Sequence, residues 1–325
     1  MELEEIKNRK QLLEERYGRW TAHNIHLGSD VYTIDNKVVG DEYQLRRVMQ
    51  IFSDVSRKAL GDVRALDLGC LEGLYAIELA RRGARVVAIE GREDNIQKTR
   101  FAKEVLSLNN LELIQDDVCN LSKERHGCFD IVLCSGILYH LDVPNVFVFL
   151  ERIAEVCQGV TVIDTHVGRA EKEFTYKNKK YWGARVQEHS PAASPETKAK
   201  ELWKSLTNPM SFLFTRPSLY NCLAHVGFTS IYETHYPREV FSYSSERVNL
   251  MAIKGKHEDV LTMPLINCHP EKDWSEQQAE NVQPTSHGGL KTIVRSSWGN
   301  SEPYAPYGGV GFLRRSPAAL LPHAA

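Results

Sequence analysis

The chain has 325 residues, of which 42% are hydrophobic and 25% charged, and its net charge at pH 7 is −2. These proportions are typical of a globular protein with one large core, and the charge gives no general attraction to nucleic acid or an anionic membrane. Seven cysteines without a C-x-x-C pair argue against a disulfide framework or a zinc site. No apolar run reaches the length of a membrane span. We therefore expect a cytoplasmic protein with reduced thiols.

Predicted strands and helices alternate along the chain, as in an α/β protein. The pattern predicts a seven-stranded, doubly wound, mostly parallel sheet with an antiparallel last strand. Residues 1–44 are predicted to form an N-terminal helix and lid segment, and residues 45–255 the core domain. An insertion at 167–214, after the fifth strand, is predicted to be a substrate lid. Residues 256–325 are rich in Pro, Ser, Gly and Asn, which predicts an extended, partly disordered tail.

The individual elements follow from runs of apolar residues and from helix boundary signals. The predicted helices are 2–17, 43–60, 74–82, 94–106 and 216–225. The predicted core strands are 64–68, 85–90, 111–115, 129–134, 160–166, 230–236 and 247–253. A hairpin is predicted inside the insertion, between Phe174 and Trp182.

A glycine-punctuated turn joins the first core strand to the helix that follows it. Gly69 and Gly73 allow a positive φ and a close ligand approach, and the helix offers free N–H groups at the same place. A dinucleotide fingerprint would have a third, central glycine, and a phosphate-binding P-loop would end in Gly-Lys-Ser/Thr. Asp67, on the strand, would repel a pyrophosphate but could hold an amine-bearing ligand. The turn alone predicts a nucleotide site only weakly.

Two further carboxylates lie where neighbouring strands end. Glu90 closes the second strand, at the position where an acidic residue accepts hydrogen bonds from ribose hydroxyls. Asp117 follows the third strand and could receive an adenine amino group. The fourth strand, Phe129-Asp130-Ile131-Val132, leads into Ser135-Gly136-Ile137-Leu138-Tyr139-His140. Acidic residues thus follow or end three consecutive predicted strands.

With these motifs in order, residues 45–255 resemble the class I S-adenosylmethionine-dependent methyltransferases. Leu71 stands where that family usually has its middle glycine. The resemblance implies S-adenosyl-L-methionine as cofactor and methyl transfer to an oxygen or nitrogen. It implies cofactor contacts at Asp67, Gly69, Cys70, Gly73, Glu90, Asp117, Val118, Ser135 and Tyr139.

Methyl transfer requires an acceptor placed in line and a group that removes its proton. His140, after the fourth strand, has a suitable intrinsic pKa and is the first candidate base; His166, at the end of the fifth strand, is the second. His140 as a helix cap or packing residue is an equally open interpretation. No metal site is predicted, because His23 and His26 have no third ligand at a suitable spacing. Trp20, Trp182 and Trp203 lie in the two lid segments.

Three functions stay open at this stage. We favour a methyltransferase of small molecules such as a sugar or a secondary metabolite, with neither nucleic acid nor membrane as partner; a homodimer is compatible with the sequence. The stretch Gly136 to His140, with Thr215 to Leu219, is similar to the tRNA wobble-uridine carboxymethyltransferases. Those enzymes use a carboxylated S-adenosylmethionine, and Tyr139 matches the tyrosine that recognises it. The third alternative is a non-catalytic S-adenosylmethionine-binding module.

Overall fold

The structure is a computed structural model that describes residues 2–34, 43–56, 58–234 and 246–255. The predicted tail at 256–325 and the end of the predicted strand 230–236 lie outside these ranges. Among the helices of the described ranges, none is both long and apolar enough to cross a membrane.

A seven-stranded sheet forms the centre of the molecule, as the sequence predicts. Its strands, in spatial order, are β11 (Ser230–Glu233), β12 (Arg247–Ile253), β7 (Cys157–His166), β6 (Phe129–Ser135), β3 (Arg64–Leu68), β4 (Arg85–Glu90) and β5 (Leu111–Gln115). The parallel pairs are β3 with β4, β4 with β5, β3 with β6, and β6 with β7. β12 runs antiparallel to both β7 and β11. The winding direction changes between β3 and β6, and in open α/β sheets ligands bind at such a point.

Helices cover both faces of this sheet. The longer ones are α1 (Leu3–Tyr17), α2 (Tyr43–Val55), α3 (Leu74–Arg81), α4 (Glu93–Val105), α6 (Asn145–Val156) and α8 (Arg216–His225); α5 (Lys123–His126) and α7 (Pro195–Lys200) are short. Two apolar clusters result, one on each face. The inner parallel strands β3, β4 and β6 are mostly buried on both sides, which explains their largely apolar sequences. The second predicted helix is shorter than expected, because it ends at Val55.

The insertion after β7 contains a second, three-stranded antiparallel sheet. β8 (Lys172–Tyr176) and β9 (Lys179–Gln187) form the predicted hairpin, and β10 (Met210–Phe214) pairs with β9 on its other side. β10 was not expected from the sequence. Aromatic packing joins this sheet to α6, with Phe147 against Tyr176, Tyr181, Phe212 and Phe214 at centroid distances of 4.8 to 6.0 Å.

The N-terminal segment packs against the sheet's helices. Arg9 of α1 lies over the ring of Phe101 in α4 and pairs with Glu104 at 2.6 Å. Trp20 is buried beside the same Phe101 ring, at 6.0 Å. Two short strands follow, β1 (His26–Gly28) and β2 (Val31–Tyr32). These contacts bring residues 21–23 to the loop that follows β3.

Candidate active site

A cavity of about 460 Å³ opens at the carboxyl ends of the parallel strands. It collects residues from four successive strand ends, from the N-terminal segment and from the insertion. Most of the residues predicted from sequence line it: Asp67, Gly69, Cys70, Glu90, Asp117, Val118, Ser135, Tyr139 and His140. The two exceptions are Gly73 and His166, which do not line the cavity as the described residues define it.

Asp67 is a buried carboxylate at the floor of the cavity. One of its oxygens, Oδ2, is buried and has no hydrogen-bond partner among the described residues. Burial raises the pKa of Asp67 to about 7, and the nearby Glu90 adds to the rise although the Ala76 backbone N–H opposes it. Because an unpaired buried acceptor costs free energy, this oxygen is suited to a ligand cation. This oxygen can therefore accept a hydrogen bond from the ammonium group of a ligand.

Glu90 holds the loop that contains Leu71. Its carboxylate accepts the Leu71 N–H at 2.9 Å and the Arg92 N–H at 2.8 Å. Burial raises the pKa of Glu90, and these two hydrogen bonds oppose the rise. Leu71 has a φ of 52°, so a leucine adopts the left-handed conformation that glycine usually takes. The departure from the family pattern thus keeps the backbone turn and adds strain to it.

Gly69 and Gly73 are held by close packing as well as by their positive φ values. A Cβ on Gly69 would come 2.2 Å from Ile137 Cδ1, and one on Gly73 would come 2.4 Å from Thr99 Cγ2. Gly73 therefore supports the loop from behind, between α3 and α4. This explains why it does not line the cavity.

We expect Gly73→Ala to lower the free energy of unfolding by about 2–4 kcal/mol, from the left-handed φ and the clash with Thr99 together. Urea unfolding of the full chain measures the change. In a Thr99→Ala background the clash is removed, so the same substitution should cost only about 1–2 kcal/mol. An equal loss in both backgrounds would contradict the packing explanation.

Only one of the two adjacent aspartates after β5 faces the cavity. Asp117 lines it and accepts the Cys119 N–H at 2.8 Å, which starts a short turn. Asp116 points to Arg125 at 2.7 Å and Asn120 at 2.6 Å, and its pKa is lowered first by the hydrogen bond from Asn120. The structure therefore places Asp117, as predicted, where a ligand can reach it.

His140 forms a dyad with Glu188, a residue of the insertion that the sequence analysis did not identify. Its Nδ1 lies 3.1 Å and 3.2 Å from the two Glu188 oxygens. Burial alone would raise the pKa of Glu188, but the hydrogen bonds from His140 and from the Ser205 N–H bring it below the usual value. A carboxylate can only accept, so Nδ1 carries the hydrogen and Nε2 is left as the basic nitrogen. The cavity-lining His140 thus has the geometry of an oriented base.

His166, the second candidate base, lies behind Tyr139. The two rings meet edge-on at 4.8 Å, and Tyr139 separately contacts His140 at 4.3 Å. Burial and the positive charge of Arg247 lower the pKa of His166. Arg247 lines the cavity and pairs with the buried Asp164 at 2.5 Å. His166 therefore supports Tyr139, whereas His140 faces the cavity.

The insertion is attached directly to the end of β4. The Arg92 guanidinium donates to the backbone oxygens of Lys198, Glu201 and Lys204, at 2.9 to 3.1 Å. A Cβ on Gly91 would lie 2.6 Å from Leu206, which shows how closely the insertion approaches the strand end. The segment 202–208 consequently forms one wall of the cavity. Part of the insertion therefore lines the site; its role as a substrate lid stays a prediction.

Of the three tryptophans in the predicted lid segments, Trp203 alone lines the cavity as the described residues define it. It is 65% exposed, whereas Trp20 is buried and Trp182 donates its backbone N–H to Ser218. An exposed indole at a cavity wall offers a flat apolar face to a ligand.

Glu72 attaches the N-terminal segment to the loop after β3. This fully buried carboxylate accepts the backbone N–H groups of Thr21, Ala22 and His23 at 2.8 to 3.0 Å, and it pairs with Lys98 at 3.3 Å. A buried charge is tolerated only with such partners. Ala22 and His23 thereby become part of the cavity wall.

His23 and His26 do not converge. The Nδ1 of His23 accepts the Leu74 N–H at 3.2 Å, whereas the Nε2 of His26 contacts the Ser29 oxygen at 2.6 Å. Within the ranges that the structure describes, no group of three His, Cys, Asp or Glu side chains could hold a metal ion.

Comparison with known proteins finds similarity to methyltransferases. Residues 65–159 match the family model described as a methyltransferase domain. A ubiquinone biosynthesis O-methyltransferase of Acinetobacter baylyi is 30% identical over 125 residues, which are 38% of this chain and 50% of that protein. Its counterpart in Rickettsia typhi is 28% identical over 139 residues, 42% and 51% of the two chains. The chain thus spans about half the length of the curated relatives it matches.

Among solved structures, the N-terminal domain of EvdMO1, crystallised in the presence of SAH and D-fucose, is similar over 78% of this chain and 97% of its own. The TM-score is 0.59 and the sequence identity 26%. The fold, the carboxylates at the strand ends and these matches define a class I S-adenosylmethionine-dependent methyltransferase domain. The match to a methyltransferase domain over residues 65–159 bears out the predicted class, and the predicted cofactor, S-adenosyl-L-methionine, agrees with the SAH in the EvdMO1 structure.

Proposed function

We propose that the protein transfers a methyl group from S-adenosyl-L-methionine to a hydroxyl oxygen of a small molecule, with a sugar or a secondary metabolite as the acceptor. One observation carries the proposal. The cavity at the strand ends combines an unpaired buried carboxylate oxygen, on Asp67, with an oriented histidine, His140. The first suits an amine-bearing cofactor, and the second suits removal of a proton from an acceptor.

The residues of this chain divide the work along the cavity. Asp67 would hold the ammonium group, Glu90 the ribose hydroxyls and Asp117 the adenine amino group. S-adenosyl-L-methionine, when bound, supplies an electrophilic methyl group. His140 Nε2 would accept the proton of the attacking hydroxyl, while Glu188 stabilises the imidazolium that results.

Two considerations support a small hydroxylated acceptor. The curated relatives described above are O-methyltransferases, and the EvdMO1 domain was crystallised in the presence of D-fucose. In this chain, Trp203 presents an exposed ring at the cavity wall, and such a face suits the apolar side of a sugar or an aromatic ring. The cavity volume of about 460 Å³ lies within the range of small-molecule sites.

The proposal is tested with the purified full chain and S-adenosyl-L-methionine that carries a deuterated methyl group. Sugars such as D-fucose and a panel of phenols serve as acceptors, and mass spectrometry detects labelled products. We expect labelled ethers in at least one panel, and product formation at least about 100-fold slower with the His140→Ala variant. Label in tRNA instead would favour the wobble-uridine alternative, and a copurifying carboxylated cofactor would do the same. Cofactor binding without any transfer would favour the non-catalytic module.

Cofactor binding should release a proton below about pH 7. The pKa of free Asp67 is raised to about 7, so the group is mostly protonated at about pH 6. An ammonium beside it favours the ionised form, so binding should release nearly one proton at about pH 6 and almost none at about pH 8.5. Calorimetry with S-adenosylhomocysteine (SAH) in two buffers of different ionisation enthalpy measures the number of protons released. Equal heats in both buffers at about pH 6 would contradict the assignment.

A further inference from the structure

His23 belongs to the N-terminal segment, yet it lines the same cavity as Asp67. The residue is only 7% exposed. Its backbone N–H donates to the buried carboxylate of Glu72 at 3.0 Å, and its ring meets Tyr75 edge-on at 5.7 Å. The position of the imidazole is therefore fixed by contacts on two sides.

The hydrogen-bond partner of Nδ1 determines which ring nitrogen carries the hydrogen. Leu74, the first residue of α3, donates its N–H to His23 Nδ1 at 3.2 Å. Burial lowers the pKa of His23 to about 4 although Glu72 opposes the shift, so the ring is neutral near neutral pH. A neutral ring whose Nδ1 accepts must carry its hydrogen on Nε2. No described residue hydrogen-bonds this Nε2.

The N–H of Leu74 belongs to the positive end of α3, where anions are favoured. Since this N–H donates to His23, the imidazole extends the positive end of the helix to the cavity. Hydrogen bonds in such a chain polarise one another, which makes the Nε2–H a better donor. Asp67 lies against the same helix end, beside the Ala76 N–H. A buried donor and a buried acceptor thus line one cavity at a single helix terminus.

We propose that His23 Nε2–H binds the carboxylate of the cofactor's methionine portion, while Asp67 holds its ammonium group. This inference rests on the proposed function, because it assumes that the cavity binds S-adenosyl-L-methionine. The N-terminal segment then has a direct role in binding the cofactor, in addition to covering the site. His23 determines specificity for an amino acid with a free carboxylate.

The test compares SAH with its decarboxylated analogue, which keeps the amine and the adenosine. Calorimetry of the full chain should show that the wild type prefers SAH by about 10- to 100-fold, the range expected for a hydrogen bond to a charged group. His23→Leu should lose most of this preference. His23→Gln should keep much of it, because the glutamine oxygen can accept the Leu74 N–H while its amide nitrogen donates to the carboxylate.

A preference for SAH that survives in His23→Leu would overturn the proposal. So would an equal loss of affinity for both ligands, since His23 would then only support the loop. If His23→Leu does not fold, the ratio of the affinities of His23→Gln for the two ligands decides. A folded His23→Gln variant that binds both ligands equally well would contradict the proposal. Failure of the wild type to bind either ligand would instead refute the proposed function itself.

Discussion

His140→Ala should lower kcat by about 100- to 10,000-fold, the usual contribution of a general base, with a change in SAH affinity of less than about 3-fold. The reason is geometric: Nδ1 is held by Glu188 at 3.1 Å, which leaves Nε2 to accept the proton of the acceptor hydroxyl. Steady-state kinetics with an acceptor identified by the labelling experiment measures kcat, and calorimetry measures SAH affinity. Glu188→Gln should fall between wild type and His140→Ala, because its amide oxygen still accepts from Nδ1 but does not stabilise the imidazolium by charge.

His166→Ala is the matched comparison, because His166 packs on the other side of Tyr139 at 4.8 Å. We expect it to change kcat far less than His140→Ala does. The reverse ranking would move the role of base to His166. Turnover unchanged in both variants would show that solvent removes the proton.

Asp67→Asn should weaken SAH binding by about 30-fold or more, since it replaces the carboxylate that faces the ammonium by a neutral amide. The same substitution should stabilise the free protein above neutral pH. Burial raises the pKa of Asp67 in the folded protein from 3.8 to about 7. Between these two pH values the folded state binds more protons than the unfolded state, so the free energy of unfolding of the wild type falls as pH rises. Relative to wild type, the variant should therefore gain stability between about pH 4 and pH 7 and keep that gain above.

Urea unfolding across this pH range and calorimetry with SAH measure the two effects. The exposed Asp62, in the turn before β3, offers a control: Asp62→Asn should change neither the pH dependence of stability nor SAH affinity. If Asp67→Asn binds SAH as tightly as wild type, Asp67 does not hold the ammonium group. If the free energy of unfolding of Asp67→Asn has the same pH dependence as that of wild type, burial does not shift the pKa of Asp67.

The sequence predicts the central sheet with little error. β3, β4, β5 and β12 have the predicted bounds, because runs of Val, Ile and Leu end at charged residues or glycines. β7 begins three residues earlier than expected, at Cys157 rather than Val160. The strand β10 was missed because Met210–Phe214 is short and pairs only with another strand of the insertion. Its partners could not be inferred from local sequence.

The carboxylates at the strand ends were predictable because parallel strands bring their carboxyl ends together. The residues that orient the candidate site were not. His140 and Glu188 are 48 positions apart, His23 and Glu72 are 49 apart, and Arg92 lies 106 or more from the carbonyls that it binds. A polar residue has no periodicity that reveals such a partner. Its role depends on how the insertion and the N-terminal segment fold back on the sheet.

The burial of Glu72 has a consequence for how the N-terminal segment tolerates substitutions. Its carboxylate accepts three backbone N–H groups, which any residue except proline can donate, and it also accepts the Thr21 hydroxyl at 3.2 Å. The attachment is therefore made mainly through the backbone, and it presents Ala22 and His23 to the cavity. Substitutions at positions 22 and 23 would therefore change the cavity wall and leave the backbone hydrogen bonds to Glu72 in place.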